Sequence, residues 1–211
     1  MAFLLRVELP DIPGSLGALA TALGSAGADI EAIEIVEHRA DGKAVDDVLL
    51  ELPPTTMPDA LITACHKLEG VRVQWISRYN AGANLSMDLE AVEAFTEDPS
   101  RAIERLVDLI PATFRADWAL MLVSVDGVAT VAHRSSTAPM DVPKAQNWFA
   151  ITESIAIEDG EDTILAATPG KDGEGKHFVV IFGRHGGPEV LNSELARLRH
   201  MVSLAASVAS V

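Results

Sequence analysis

The sequence predicts an α+β chain of two modules, and three observations carry the prediction. Across residues 1–79, apolar alternation and helical periodicity succeed one another in the order β-α-β-β-α-β. Two Asp-Gly dipeptides, Asp41-Gly42 and Asp126-Gly127, each separate runs rich in β-formers, which is how hairpin turns read. A small polar join at Asn80–Asn84 divides the first pattern from a second one, which ends in a long helical stripe.

Each element has its own signal. Phe3, Leu5, Val7 and Leu9 alternate with Leu4, Arg6 and Glu8, which predicts a half-buried strand. Asp11-Ile12-Pro13-Gly14-Ser15 breaks the alternation, and Leu16, Leu19 and Leu23 then recur at helical spacing up to Gly24 and Gly27. Residues 29–37 and 44–52 form the first predicted hairpin. A helix starting near Pro58 carries Leu61, Ala64/Cys65 and Leu68 on one face, and a strand follows Gly70 with Val71, Val73 and Trp75 on one side. This is the split βαβ pattern of the ferredoxin-like fold. Beyond the join come a short helix (Leu85, Leu89, Val92, Phe95) and a second helix from Asp98-Pro99 to Pro111. A hairpin over 118–133, an irregular segment over 134–162, strands near 163–168 and 177–183, and a helix from about Glu189 complete the chain.

Composition narrows the function classes. The 211 residues include 31 acids and 16 bases, a net charge of −15, with 48% hydrophobic and 5% aromatic residues. Such a chain can bury a core of Leu, Val, Ile and Ala. Its field repels phosphate backbones, so neither nucleic acid nor an anionic membrane surface is an expected partner. The single Cys65 allows no internal disulfide, Arg6 and Glu8 interrupt any signal-peptide-like apolar run, and no stretch is long and apolar enough to span a bilayer. A cytoplasmic location is expected.

Catalytic motifs are weak. Gly170–Lys176 has the spacing of a phosphate-binding loop, but His177 stands where Ser or Thr would hold Mg²⁺, and a strand follows instead of a helix. A solvated hairpin loop is expected there. The six histidines lack metal-ligand spacing, and neither a metal nor another cofactor is implied. Cys65 and His66 are neighbours on one helix and point apart. Ser135, Ser136 and Asp141 lack a nucleophile turn.

The Asp11–Leu16 segment is the most informative. Pro13 fixes the turn, Gly14 allows close approach, and the first amides of the helix offer partial positive charge to a carboxylate. Asp29 is expected beside that loop if the βαβ unit closes normally. The plainer alternative has Asp11 or Ser15 capping the helix and Asp29 serving as a turn residue.

With the loop Asp11-Ile12-Pro13-Gly14-Ser15-Leu16, the run Gly27-Ala28-Asp29-Ile30 and the element order in place, residues 2–79 resemble the ACT domain. The resemblance implies a regulatory module that pairs side by side and binds a small effector, most often an amino acid, at the interface. It implies effector contacts at Asp11, Gly14, Ser15, Leu16, Asp29 and Ile30. The position matching Asp29 is often Asn in amino-acid-binding members. An ionised Asp only accepts, so neutral or cationic amino acids are expected over aspartate or glutamate. Residues 98–211 resemble a GAF domain through "ADWALMLVSVDGVATVAH" and the closing strand and helix "HFVVIFGRHGGPEVLNSELARLRHMVSLAASV". That resemblance implies a sheet with helices on one face and a pocket under the irregular segment, where His133, Trp148 and Phe149 are candidate lining or core residues.

The expected organisation is therefore an ACT module over 1–79, a linker and short helix over 80–97, and a GAF-like α/β sandwich over 98–211. The expected function is a non-catalytic regulatory homodimer that senses an amino acid and passes the signal to its second domain or to a protein partner. The alternatives are an enzyme of amino-acid or nucleotide metabolism using His133, Asp141 and Lys144, and a structural adaptor.

Overall fold

Two antiparallel sheets organise the chain, one in each of two units, Met1–Ala83 and Asn84–Val211. The computed structural model describes residues 1–78, 83–158, 163–186 and 189–210, the side chains of 83–87 excepted. Most of the join expected at Asn80–Asn84 lies outside the described residues.

The first unit runs β1 (Ala2–Pro10), α1 (Ser15–Ser25), β2 (Asp29–His38), β3 (Lys43–Glu51), α2 (Asp59–Cys65) and β4 (Arg72–Arg78). Its sheet order is β2-β3-β1-β4. β3 lies antiparallel to both β1 and β2, so those two strands run in the same direction. Phe3, Leu5, Val7 and Leu9 meet Leu19 and Leu23 of α1 and Leu61 and Cys65 of α2 in one apolar core. Burial pushes the Cys65 thiol up to about 11, as suits a packing residue.

Two expectations fail here for physical reasons. β1 is buried on both faces, because its charges find partners. Arg6 Nε and Nη2 donate to the two carboxylate oxygens of Asp47 at 2.7 and 2.8 Å. Glu8 is held by Arg39, Lys43 and Arg72 at 2.8, 2.7 and 3.4 Å. Burial works to raise the Glu8 carboxyl, but the bonds from Lys43 and Arg72 outweigh it and hold it below the ordinary value. In β4, Arg6 faces Trp75 while Val7 faces Val73, so Gln74 is an inserted residue. The alternation breaks, and Val73 and Ile76 both reach the helix-side core.

The second unit contains α3 (Ala83–Glu97), a 3₁₀ turn (Pro99–Arg101), α4 (Ala102–Thr113), β5 (Trp118–Val125), β6 (Val128–Arg134), α5 (Ala145–Phe149), β7 (Ile155–Glu158), β8 (Thr163–Lys171), β9 (His177–His185) and α6 (Asn192–Val208). The sheet order is β6-β5-β9-β8-β7. On one face, Phe95, Leu106, Ile110 and Leu198 from α3, α4 and α6 pack on Ala119, Val180 and Phe182. The opposite face carries Trp118, Leu120 and Ile181 beneath Ala138 and Trp148. The predicted Asp126-Gly127 turn has both residues at positive φ, 51° and 82°, as a two-residue hairpin requires.

Here too the short elements depart from expectation. α5 and β7 fall inside the segment expected to be irregular, and α4 continues past Pro111 to Thr113. Leu89 is exposed, so the buried side of α3 is Ala91 and Phe95 rather than a Leu89 stripe. The Gly170–Lys176 segment spans the end of β8 and a tight turn, closed by Asp172 Oδ1, which accepts from the amides of Glu174 and Lys176. Among the described residues, no helix is long and apolar enough to cross a membrane.

Trp118 lies directly opposite Gly183, and a Cβ at Gly183 would sit 2.2 Å from the indole. Gly183→Ala is therefore expected to destabilise this unit by about 1–3 kcal/mol through overpacking. Denaturant unfolding of the two proteins measures it, and a midpoint equal to the parent's would refute the packing argument.

Candidate functional site

The loop after β1 is built around Gly14. At φ 99° it occupies the left-handed region that disfavours side chains, and it starts α1 with no side-chain cap. Ser15 N–H donates to Ile12 O at 3.2 Å, and Ala18 N–H donates to Gly14 O at 3.0 Å. Among the described residues, the amides of Leu16 and Gly17 between them have no bonded acceptor. Asp11 does not cap the helix. Its Oδ2 lies 2.7 Å from His38 Nδ1, which ties the loop to the end of β2.

A residue that sequence reasoning missed lies close by. Asp46 of β3 pairs in register with Val7 and Ile35, and only 1% of it is exposed. Neither of its carboxylate oxygens has a hydrogen-bond partner. Its carboxyl is raised to about 6, first by burial and then by the negative charges of Asp11 and Asp47, while His38 acts in the opposite direction. Asp46 and Asp47 are consecutive and so point to opposite faces. Asp47 took the arginine, and Asp46 was left facing the helix layer without a cation.

The resulting arrangement has two poles. Unbonded amides at the start of α1 suit a carboxylate. The carboxylates of Asp46 and Asp11 suit an ammonium. Ser15 and Leu16 are half-buried beside the loop, and Leu16 also touches the core.

Asp29 and Ile30 are not part of this cluster within one chain. Asp29 pairs with Glu51, which also faces Ala2 at the start of β1, whereas Pro10 faces Lys43. The two ends of the sheet are about 27 Å apart, taking ~3.4 Å per strand residue. The expected closeness of Asp29 to the loop is thus corrected: β2 runs parallel to β1, so its start lies at the far end. Ile30 is a partly buried core residue.

In the second unit, His133, Trp148 and Phe149 do not share a pocket. His133 Nε2 lies 2.9 Å from Asp108 Oδ1 of α4, on the helix side of the sheet, while Trp148 and Phe149 pack on the other face. Asp141 and Lys144 belong to the segment bearing Trp148, which packs on the sheet face opposite the one where His133 meets Asp108. Ser135 Oγ is buried and accepts from the Ala119 amide at 2.9 Å. Among the described residues, no group of three His, Cys, Asp or Glu side chains gathers as a metal ion would need.

No protein-family model matches the chain. No curated protein matches it either. Among solved structures it is similar to the GAF domain of a phosphoenolpyruvate-protein phosphotransferase from Acinetobacter, with 8% identity, 62% of this chain and 95% of that one covered, and a TM-score of 0.48. The corresponding GAF domain from Coxiella burnetii gives 14% identity, 63% and 94% coverage, and a TM-score of 0.47. An unknown protein from Galdieria sulphuraria covers 98% of this chain and 90% of its own, at 13% identity and a TM-score of 0.33. The overlap is too loose to carry chemistry from those proteins to this one.

Proposed function

We propose that this chain is a non-catalytic regulatory protein whose N-terminal unit is a ferredoxin-like ACT module that binds an α-amino acid. Its second unit is read as a GAF-like domain that receives the signal. The observation that carries the reading is the buried, unpartnered Asp46, within electrostatic reach of Asp11 in the loop from which α1 begins uncapped. An unpartnered carboxylate and unbonded helix-start amides in one unit match in kind the two ends of a zwitterion. The strand order β2-β3-β1-β4 supports the module assignment, and helices on one face of the second sheet support the GAF-like one.

The effector completes the site between two copies. β2 is an edge strand with Ile33 and Ile35 exposed, and an unpaired edge invites another strand. Antiparallel pairing of β2 with β2 of a second copy sets the start of one strand against the end of the other. Asp29 of the second copy then approaches His38 and Asp11, which a single chain keeps apart. Three carboxylates around one ammonium favour neutral and cationic amino acids and disfavour aspartate and glutamate. Binding stabilises the paired arrangement, and the attached unit or a partner protein responds by population shift.

A thermal-shift panel of the twenty amino acids tests this. A ligand at about 100 times its Kd stabilises the folded state by about 2.7 kcal/mol. A selective shift with a neutral or basic amino acid that disappears in Asp46→Asn is expected. A panel with no shift at millimolar concentration, or one led by glutamate, would overturn the reading.

A further inference from the structure

We propose that the groove between the β8–β9 hairpin and α6 is a second small-molecule site, selective for a phosphate group, either free or on a small monoester. The groove encloses about 370 Å³ and is lined by Gly170, Lys171, Arg199, Ser203, Ser207 and Ser210. It lies on the second unit and owes nothing to the amino-acid reading of the first.

The charges single it out. The chain carries 31 acids against 16 bases, so carboxylate partners are plentiful. In the same unit Arg197 takes Asp88, Arg184 takes Glu194, and Arg105 takes Glu97 and Asp98. Lys171 and Arg199 take none among the described residues, and both line this groove. Two cations sharing one concavity repel each other, and an external anion relieves that repulsion.

The hydroxyls complete the donor set. Arg199, Ser203 and Ser207 follow one another at four-residue spacing, which puts them on one face of α6. Ser207 Oγ donates to Ser203 O at 2.9 Å, and Ser210 Oγ donates to Ala206 O at 2.7 Å. The Ser203 hydroxyl donates to nothing among the described residues. A guanidinium fork, an ammonium and a free hydroxyl are hydrogen-bond donors matched to the several acceptor oxygens of a phosphate. Gly170 contributes no side chain to the floor, because the Phe178 ring already fills its Cβ position at 2.3 Å. The groove exceeds the size of a bare phosphate, which leaves room for the body of a monoester.

The test is a heteronuclear NMR titration of the full chain with inorganic phosphate and with glycerol 3-phosphate, against sodium chloride of matched ionic strength. Saturable shifts at the groove residues with phosphate compounds, and not with chloride, are expected. Lys171→Gln with Arg199→Gln should raise Kd by about tenfold or more, the loss expected for charge-assisted contacts. Both side chains are exposed, so the folded spectrum should otherwise be retained. Tighter binding of the monoester assigns the remaining volume to its body, and equal binding assigns the site to phosphate itself. Shifts no larger than those with chloride, or an unchanged Kd in the double variant, would overturn the proposal.

Discussion

Arg6→Met is expected to cost the N-terminal unit about 3–5 kcal/mol, because it leaves the Asp47 carboxylate buried without its partner. Both side chains are more than nine-tenths buried, and the pair is bidentate. Removing both charges together, Arg6→Met with Asp47→Leu, should recover most of the loss, since an apolar pair of similar volume avoids the desolvation of two ions. Urea unfolding of the parent, the two single variants and the double closes the cycle. A single-variant loss below about 1 kcal/mol, the range of exposed ion pairs, would show that water reaches this pair.

Asp46 should behave in the opposite way, because it already lacks a partner. Its folded carboxyl is raised to about 6 from an ordinary value of 3.8. Between those values the folded chain holds a proton that the unfolded chain has released. Its favourable contribution is therefore complete below pH about 4 and declines as pH rises through about 6, by about 3 kcal/mol in all. Asp46→Asn resembles the protonated form at every pH. The variant should be the more stable protein near pH 7.5 by up to about 3 kcal/mol, with the difference vanishing near pH 4. Denaturant midpoints across that range measure it. A variant less stable than the parent at neutral pH would mean that Asp46 has a stabilising partner after all. A natural sequence that keeps a destabilising buried charge retains it at a cost, and a bound ammonium is what would reverse that cost.

How much of this was legible in the sequence depended on distance along the chain. The alternation of Phe3, Leu5, Val7 and Leu9 and the two Asp-Gly turns are local signals, and the structure has strands and turns at those places. The Gln74 bulge is invisible in sequence because it is a mismatch between two strands far apart in the chain. The five-residue α5 and four-residue β7 have too few residues for a period and exist through tertiary packing and pairing. The loop half of the candidate site, Asp11 to Leu16, was readable from Pro13 and Gly14. The Asp46 half was not. "DD" inside a predicted strand gives no hint which carboxylate will find Arg6, whose partner stands 41 positions away. Asp29 is the converse case. Its nearness to the loop in sequence conceals a full strand length in space.

Calorimetric titration of the full chain with the best-binding α-amino acid, its des-amino analogue and its decarboxylated analogue tests the two-pole site most directly. Both analogues should bind at least about tenfold more weakly than the zwitterion, each having lost one charge-assisted contact. Affinity for the amino acid should also fall near pH 5, where the Asp46 carboxyl is protonated and no longer attracts an ammonium. A des-amino analogue that binds as tightly as the amino acid, with no change between pH 7.5 and pH 5, would contradict the account.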